Sequence, residues 1–332
     1  MANQQEKQSG TFERSTKLGL RMKTIVITGG NSGLGLETAR IIAQDKNNQL
    51  ILACRDQKKA QTAVTELRRE SGNLHIQSLE LDLASFNSIR NFTVKLVEIT
   101  QGIDVLACNA GIQIAKGNQT TADGFEKTFG VNHLGHFLLT NLLMPYINQK
   151  SGRIVLVSSG THFNPAIWQG KIFGIPAGDY LGWEELSKPN SMQNYSERSR
   201  GYARYSTSKL CVLFFGYELN RLLREKQRGI TVNLYDPGLM PGTGLAREGN
   251  AMEQWAWRNI MPMLRIFDGV FPVKTSAGNF VKLLTDPSFN DMTGQYYEGP
   301  AHKNSSEDSY DQLKWNDLWK GSEQLTQEKF IV

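Results

Sequence analysis

The chain has 332 residues, of which 39% are hydrophobic and 21% are charged, and its formal net charge is +5. This length and apolar content suffice for the core of one large α/β domain, and no internal repeat or low-complexity tract divides the chain. No apolar run reaches the roughly 18 residues of a transmembrane helix, so we expect no membrane span. Basic residues are spread along the chain without a cluster interleaved with aromatic residues, which argues against a nucleic-acid partner.

The first residues and the cysteines bear on the cellular compartment. Residues 1–22 are polar and lack the apolar segment of a secretory signal, so we expect disorder, with a transit peptide as the alternative. Cys54, Cys108 and Cys211 lie in or beside apolar runs, without a nearby His or Cys at metal-ligand spacing. We expect them to be small buried residues of a reducing compartment, the cytoplasm or alternatively a plastid. A reactive thiol is the less favoured interpretation.

The first predicted strand leads into a glycine-rich turn. Residues 24–28 form a short β-branched run that suits a strand buried on both faces, and a helix-like run follows the turn. The glycines leave the backbone bare where a phosphate approaches, and the helix directs its free N–H groups and positive dipole end at that anion. We expect a nucleotide pyrophosphate here, although a plain glycine turn would have the same composition. The candidate contacts are Gly29, Asn31, Ser32, Gly33, Leu34 and Gly35.

The second predicted strand, residues 49–54, ends on Arg55. In dinucleotide-binding sheets an acidic residue stands about 20 positions after the glycines and accepts a hydrogen bond from the ribose 2′-hydroxyl. A guanidinium instead offers a fork of donors that matches a phosphate. Arg55 therefore favours NADPH or NADP+ over NADH, and the alternative is a solvated arginine that opens the helix predicted at 56–70.

Two further predicted strands end on residues suited to contact a ligand. The third strand, residues 75–81, precedes an aspartate that could equally cap the next helix, residues 85–100. The fourth strand precedes an asparagine, which can bond neighbouring main chain, and two small residues that let the backbone pass close to a ligand. These residues are Asp82 after the third strand, and Asn109, Ala110 and Gly111 after the fourth.

An almost wholly apolar helix is predicted after Asn132, and it should be buried against the sheet or a partner subunit. An asparagine within such a helix must find hydrogen-bond partners or it lowers stability. His133 and His136 share one helix face, but no third ligand is evident in the sequence. We interpret both as structural and predict no metal site.

Hydroxyl groups end the fifth predicted strand, residues 153–159, and such groups lie in the crevice where parallel sheets bind ligands. Residues 161–201 are rich in Gly, Pro, Ser and Asn, and are predicted to form an insertion that lines or covers the mouth of the site.

A long helix at 205–226 then places Tyr205 and Lys209 on one face. Because an adjacent ammonium lowers the pKa of a phenol, this pair can exchange protons near neutral pH, unless it is merely an exposed helix pair.

The motifs follow one order across residues 24–300: Thr-Gly-x-x-x-Gly-x-Gly, Asn-Ala-Gly, a strand ending in Ser-Ser, and Tyr-x-x-x-Lys. In order and spacing they resemble the short-chain dehydrogenase/reductase family. The resemblance implies an α/β fold with one Rossmann-type domain over residues 23–300, in which a doubly wound parallel sheet carries helices on both faces. It also implies NADPH as the cofactor and homo-oligomers formed through the helices at 132–147 and 205–226.

The same resemblance implies roles for individual residues. Asn132 would kink its helix and hold a water on a proton path, and Ser159, with Ser158 as the alternative, would polarise the substrate carbonyl. Tyr205 would give the proton, and Lys209 would bind the ribose and tune Tyr205. The implied cofactor contacts beyond the glycine turn are Arg55, Asp82, Leu83, Asn109, Ala110, Gly111, Tyr205, Lys209, Pro237 and Gly238, with Thr243 at the pyrophosphate or the carboxamide.

The last third of the chain carries weaker signals. Residues 245–270 gather aromatic, Met and Leu side chains without clean periodicity, which favours a lid over a large apolar substrate. Ordinary core, a subunit contact or a membrane-surface patch are the alternatives. A helix is predicted at 275–285 and a strand at 294–298, whereas the polar tail, residues 301–332, has no motif that we can interpret.

Two branches of the family share the segment Val-Asn-His-Leu-Gly-His-Phe-Leu-Leu-Thr-Asn-Leu-Leu: the retinol dehydrogenases and light-dependent protochlorophyllide oxidoreductase. Leu239, however, stands where the photoenzyme usually has cysteine. We expect an NADPH-dependent oxidoreductase that transfers a hydride to a bulky, apolar carbonyl substrate, such as a retinal-like or polycyclic ketone. Light-dependent reduction of a ring double bond is one alternative. A non-catalytic NADPH-binding scaffold is another alternative. The presence of all four implied catalytic residues, Asn132, Ser159, Tyr205 and Lys209, argues against it.

Overall fold

A computed structural model describes residues 21–163, 174–240 and 269–331. Its centre is one eight-stranded sheet with the strand order β3-β2-β1-β4-β5-β6-β7-β8. The first seven strands run parallel, and only β8 pairs antiparallel, with β7. The strands are β1 Lys23–Thr28, β2 Asn48–Cys54, β3 Ile76–Glu80, β4 Val105–Cys108, β5 Arg153–Val157, β6 Thr231–Asp236, β7 Tyr296–Glu298 and β8 Ala301–Lys303.

Helices cover both faces of this sheet, so the predicted doubly wound α/β fold is confirmed. The helices are α1 Gly33–Ile42, α2 Gln57–Ser71, α3 Phe86–Ile99, α4 Lys127–Phe129, α5 Gly135–Leu143, α6 Trp183–Ser187, α7 Glu197–Glu225, α8 Val273–Thr285 and α9 Gln312–Thr326. One face of the sheet packs against α1, α2 and α8, and the other against α3, α5, α7 and α9. Central strands are therefore buried on both sides, which explains the continuous apolar runs of β1 and β2.

The parallel register brings the carboxyl ends of the central strands to one edge. β1 aligns Thr28 with Ala53 of β2, and β5 aligns Val157 with Tyr235 of β6. The glycine turn, Arg55 and the residues that follow β4, β5 and β6 thus share the edge where parallel sheets bind ligands.

The polar tail has more structure than the sequence indicated. Its first residues form β8 at the sheet edge, and α9 lies along α7 with Trp315, Leu318 and Trp319 buried. Trp319 meets Phe137 of α5 edge to face, with 5.2 Å between ring centroids. The same chain therefore covers the helix pair through which we expected subunits to associate, and the oligomeric state stays a prediction.

Two segments differ from their predicted bounds. The helix of Tyr205 begins at Glu197, within the predicted insertion, where the acidic side chain of Glu197 lies in the first turn and interacts favourably with the helix dipole. A π-helical turn, Gly130–Leu134, interrupts the helix that carries Asn132. Residues 1–20, 164–173 and 241–268, including Thr243 and nearly all of the predicted lid, lie outside the described residues. Among the described residues, no helix combines the length and apolar character needed to cross a bilayer.

Candidate active site

The glycine turn adopts a backbone that other residues would strain. Gly29 has φ +67° and Gly33 has φ +54°, in the left-handed region that favours glycine. At Gly35 a Cβ atom would lie 2.5 Å from the Gly29 carbonyl oxygen, so the turn and α1 are packed backbone to backbone. The N-cap residue of α1, Ser32, makes no side-chain capping bond. Ser32 therefore leaves the first N–H groups of α1 without a side-chain cap.

Thr28, the last residue of β1, is the centre of a buried hydrogen-bond cluster. Its Oγ1 accepts from the backbone N–H groups of Asn109 and Ala110, both at 2.9 Å, and lies 3.0 Å from Nε2 of His136. Nδ1 of His136 lies 3.2 Å from the carbonyl oxygen of Asn132. A carbonyl only accepts, so Nδ1 carries the proton and Nε2 accepts from the Thr28 hydroxyl. Burial lowers the pKa of His136 to about 4, which keeps this arrangement neutral.

Asn132 lies in the π-helical turn, a feature often found at functional sites. Its Oδ1 accepts from the N–H of Ile112 at 2.8 Å, and its Nδ2 donates to the Ile112 carbonyl at 2.9 Å and to Ser208 Oγ at 2.9 Å. Ser208 in turn donates to the carbonyl of Tyr205 at 2.7 Å. Asn132 therefore joins the segment after β4 to the helix of Tyr205, and its buried amide is satisfied as expected.

The two serines after β5 have different environments. Ser158 is 2% exposed, and its hydroxyl donates to the carbonyl of Lys209 at 3.0 Å, so it holds α7 to the sheet. Ser159 is half-buried, and a hydrogen bond between its hydroxyl and Tyr205 partly offsets the rise in the phenol pKa. Of the two, Ser159 alone has its hydroxyl beside the phenol.

Tyr205 and Lys209 are buried rather than solvent-facing, with 9% and 4% of their surfaces exposed. Lys209 Nζ donates to the carbonyl of Val157 at 3.0 Å and lies 5.7 Å from the centroid of the Tyr205 ring. A Cβ atom on Gly111 would lie 3.3 Å from the same Nζ, which explains the small residue there. The segment after β4, the end of β5 and α7 thus converge at this amine.

The pKa values correct one expectation. Burial raises the pKa of Tyr205 to about 12, although the Ser159 hydroxyl opposes the rise, and burial lowers the pKa of Lys209 to about 8. The prediction of a lowered phenol pKa is thus wrong for the protein alone, because desolvation of the phenolate outweighs the hydrogen bond from Ser159, and the charge of Asp236 adds to the rise. In this state Tyr205 carries its proton at neutral pH, as a proton donor must.

A carboxylate that the sequence analysis did not single out lies beside this pair. Asp236, the last residue of β6, is 3% exposed and accepts from the Gly238 N–H and the Tyr296 hydroxyl, both at 2.9 Å. Burial raises its pKa to about 6, and its charge raises the pKa values of both Tyr205 and Lys209. The site therefore contains three ionisable groups that influence one another: Tyr205, Lys209 and Asp236.

The candidate cofactor contacts lie along the same edge. Arg55 is exposed where β2 ends, next to the glycine turn. Asp82 accepts from the Ala84 N–H at 3.0 Å, while Ser85 caps α3, so the alternative role of Asp82 as the helix cap is wrong. Leu83 is buried, and its carbonyl oxygen would lie 2.5 Å from a Cβ atom at position 135 of α5.

Pro237 and Gly238 follow Asp236 directly. Gly238 has φ +71°, and a Cβ atom there would lie 2.6 Å from the carbonyl oxygen of Gly269. The Pro237 carbonyl accepts from the Ser276 hydroxyl at 2.7 Å, which ties this loop to α8. The loop that starts at Pro237 is thus held tightly where it leaves the sheet.

The other candidate groups have structural surroundings. His133 Nε2 lies 2.7 Å from Ser322 Oγ of α9 and packs among phenylalanine rings. Within the part of the chain that the structure describes, no three His, Cys, Asp or Glu side chains converge as metal ligands would. All three cysteines are buried, as predicted, and burial raises the pKa of Cys54 to about 11 and that of Cys108 to about 12. Such thiols are unreactive at neutral pH.

Comparisons with known proteins agree with this geometry. A sequence profile described as short chain dehydrogenase matches residues 23–171. The chain is 34% identical to retinol dehydrogenase 13 of Homo sapiens over 305 residues, which cover 91% of this chain and 84% of that protein. It is 31% identical to the chloroplastic protochlorophyllide reductase A of Oryza sativa subsp. japonica over 337 residues, covering 96% and 84% of the two chains.

Among solved structures, an uncharacterized protein from Mycobacterium paratuberculosis aligns with a TM-score of 0.68 and 30% identity, over 93% of this chain and 95% of that chain. Fold and sequence are thus shared along almost the whole length. The chain belongs to the short-chain dehydrogenase family and is an oxidoreductase.

Proposed function

We propose that this chain is an NADPH-dependent reductase of a bulky, apolar carbonyl compound. The observation that carries the proposal is the convergence of the buried Tyr205 and Lys209 with the half-buried Ser159 at the sheet edge that also carries the glycine turn. Asn132 links this group to the segment after β4. A binding protein without catalysis has no use for a buried phenol beside an amine.

The residues present fit a dinucleotide phosphate. The N-terminus of α1 has no side-chain cap, and at Gly33 the space that a Cβ atom would enter is open. Backbone N–H groups there would hold the pyrophosphate, and the exposed guanidinium of Arg55 would pair with a 2′-phosphate. NADPH, when bound, supplies the hydride from its nicotinamide.

Each catalytic side chain then has a role set by its contacts. Ser159 would donate a hydrogen bond to the substrate carbonyl oxygen and stabilise the negative charge that develops on it. Tyr205 would transfer its proton to the same oxygen. Lys209, held by the Val157 carbonyl, would stabilise the phenolate that remains and contact the ribose.

The substrate class rests on resemblance and on side-chain chemistry. Retinol dehydrogenase 13 and the protochlorophyllide reductases are named for large, apolar substrates. Residues 245–270, which follow the Pro237 loop, are rich in Trp, Met and Leu, and such side chains suit a large apolar ligand. A retinal-like or polycyclic carbonyl compound is therefore the proposed substrate.

The test is reduction of retinals and polycyclic ketones by the purified chain with NADPH, measured as loss of cofactor absorbance. Tyr205→Phe should lower kcat by about 100-fold or more, because it removes the proton donor. Tyr202→Phe is the matched control: Tyr202 lies one turn earlier on α7, half-buried, and should leave turnover near wild type. Equal turnover in Tyr205→Phe and wild type would remove the proposed mechanism.

A second candidate function follows from the likeness to protochlorophyllide reductase over 96% of the chain. In that case the reaction would reduce a ring double bond under light. Turnover of protochlorophyllide that requires illumination, with no reduction of carbonyl compounds in darkness, would favour this second function. Leu239, which lies just after Gly238, cannot supply the thiol expected of such a photoenzyme.

A further inference from the structure

The buried carboxylate of Asp236 has no part in the roles described above, yet it lies at the centre of the site. In register, Val157 pairs with Tyr235, so Asp236 stands beside Ser158, one residue before the proposed carbonyl-binding Ser159. It also receives the backbone N–H of Gly160, which follows Ser159 directly. The carboxylate therefore holds the loop after β5 and the loop after β6 in one arrangement.

The bonds to Asp236 favour its ionised form despite burial. Two backbone N–H groups and the Tyr296 hydroxyl donate to it, and each of these bonds is stronger to a carboxylate than to a carboxylic acid. Burial and the charge of Glu298 act the other way, although Glu298 is paired with Lys303 at 2.6 Å. With a pKa of about 6, Asp236 is mainly ionised at neutral pH.

Within the described residues, the charge acts on ionisable groups of α7 and of the sheet. On α7 these groups are Tyr205 and Lys209, and on the sheet they are Tyr235, Tyr296 and Glu298. Tyr296 also packs against the ring of His162, whose pKa burial lowers to about 4, so His162 adds no charge at neutral pH. The negative charge disfavours a phenolate at Tyr205 and favours an ammonium at Lys209.

We propose that Asp236 is a positioning residue that favours the ammonium form of Lys209, further disfavours a phenolate at Tyr205, and so favours carbonyl reduction over alcohol oxidation. Reduction consumes the phenolic proton of Tyr205, whereas oxidation of an alcohol needs the phenolate as a base. Asp236 also precedes Pro237 and Gly238, which the family resemblance implies as cofactor contacts, and its charge acts on Tyr205, which must lie beside the carbonyl that accepts the hydride. A negative charge there stabilises the positive ring of NADP+ relative to neutral NADPH. The inference rests on the proposed reductase function.

The first test is the pH dependence of kcat/KM for reduction in Asp236→Asn, an isosteric change that keeps an acceptor for the Gly238 N–H. Without the charge, the alkaline limb of the profile should move about one pH unit lower. At neutral pH, kcat/KM for alcohol oxidation should rise relative to kcat/KM for carbonyl reduction. Glu298→Gln is the matched control, since it removes a carboxylate paired with Lys303 at the same sheet edge, and its alkaline limb should stay in place.

Binding supplies a readout that does not depend on turnover. The ratio of the Kd for NADP+ to the Kd for NADPH, measured by fluorescence titration, should rise about fivefold in Asp236→Asn. In the wild type the same ratio should rise as pH falls from about 7 to about 5, because Asp236 takes up a proton there while Lys209 is already an ammonium. The 2′-phosphate titrates in both cofactor forms and cancels. This wild-type measurement stands even if the variant does not fold.

The two proposals fail in different ways. A wild-type chain that neither binds NADPH nor reduces carbonyl compounds overturns the proposed function. A wild-type reductase whose alkaline limb is the same in Asp236→Asn, or whose cofactor ratio is constant with pH, overturns the role of Asp236 alone. Asp236→Ser, which removes the same charge with a smaller side chain, must shift the limb in the same direction for the proposal to hold.

Discussion

The hydrogen bond between Thr28 and His136 predicts that the glycine turn and the helix of Asn132 are energetically coupled. Both side chains are buried, with 0% and 3% exposed. Thr28→Val removes the bond to His136 and the two bonds to the N–H groups after β4, and His136→Leu removes the bonds to Thr28 and to the Asn132 carbonyl. The bond between Thr28 and His136 is common to both changes.

The expected magnitude follows from these bonds. At about 1 kcal/mol for each net hydrogen bond, Thr28→Val should lower the free energy of unfolding by about 3 kcal/mol and His136→Leu by about 2 kcal/mol. The double variant loses the shared bond only once, so it should lose about 4 kcal/mol, a coupling of about 1 kcal/mol. NADPH should bind more weakly to each single variant, since Thr28 holds the backbone of Asn109 and Ala110 beside the glycine turn.

The assay is a double-mutant cycle by urea unfolding at about pH 7.5, where the buried histidines are neutral, with NADPH affinity as a second readout. His133→Leu is the matched control. It lies one turn earlier, contacts Ser322 of α9 instead of the glycine turn, and should combine additively with Thr28→Val. A coupling between Thr28 and His136 below about 0.3 kcal/mol, or an equal coupling for His133, would refute the reasoning.

Three further predictions concern stability and cofactor choice. Burial lowers the pKa of three histidines from 6.5 to about 3 or about 4, so the unfolded chain binds more protons than the folded chain between pH 6.5 and about 4. Thermal melts should therefore show that stability falls as the pH is lowered through that window. A melting temperature that is constant across the window would contradict this prediction. These histidines are His133, His136 and His162. Arg55→Glu should weaken NADPH binding by about tenfold or more while leaving NADH binding unchanged or stronger, in fluorescence titrations of the two cofactors, and an equal loss for both would argue against a 2′-phosphate contact. Gly321→Ala should lower the melting temperature, because its Cβ would lie 2.1 Å from Cγ of Trp183, whereas the control Gly278→Ala, with open space in α8, should stabilise by about 0.5–1 kcal/mol. A Gly321→Ala variant that is stabilised as the control is would show that helix propensity outweighs the steric contact.

Local patterns in the sequence were sufficient for much of the fold and the site. The β-branched run before the glycine turn predicted β1, and the i, i+4 spacing placed Tyr205 and Lys209 together on α7. Both signals are contained within a few residues, and the physics that they express is local: strand burial, turn geometry and helix periodicity. The order of these motifs then indicated the parallel sheet that the structure contains.

The parts of the site that the sequence did not predict depend on contacts between residues far apart in the chain. His136 was expected to be structural, but its partner Thr28 is 108 residues away, and no spacing rule connects them. Asp236 is a single acidic residue at a strand exit, and only the fold shows that it is buried beside Tyr205 and Lys209. Ser208 likewise gains its role from the Asn132 amide across the helix interface.

The C-terminal helix α9 packs along α7, the helix that carries Tyr205, so α7 is supported by a segment of the same polypeptide. The described part of the insertion also contacts α9. The Tyr180 hydroxyl donates to the Asp317 carboxylate, and the Trp183 ring packs against the backbone at Gly321. Changes in α9 therefore act on the helix that carries Tyr205. Protein engineers who attach fusion partners or immobilisation anchors to α9 would therefore be altering the support of the reaction centre.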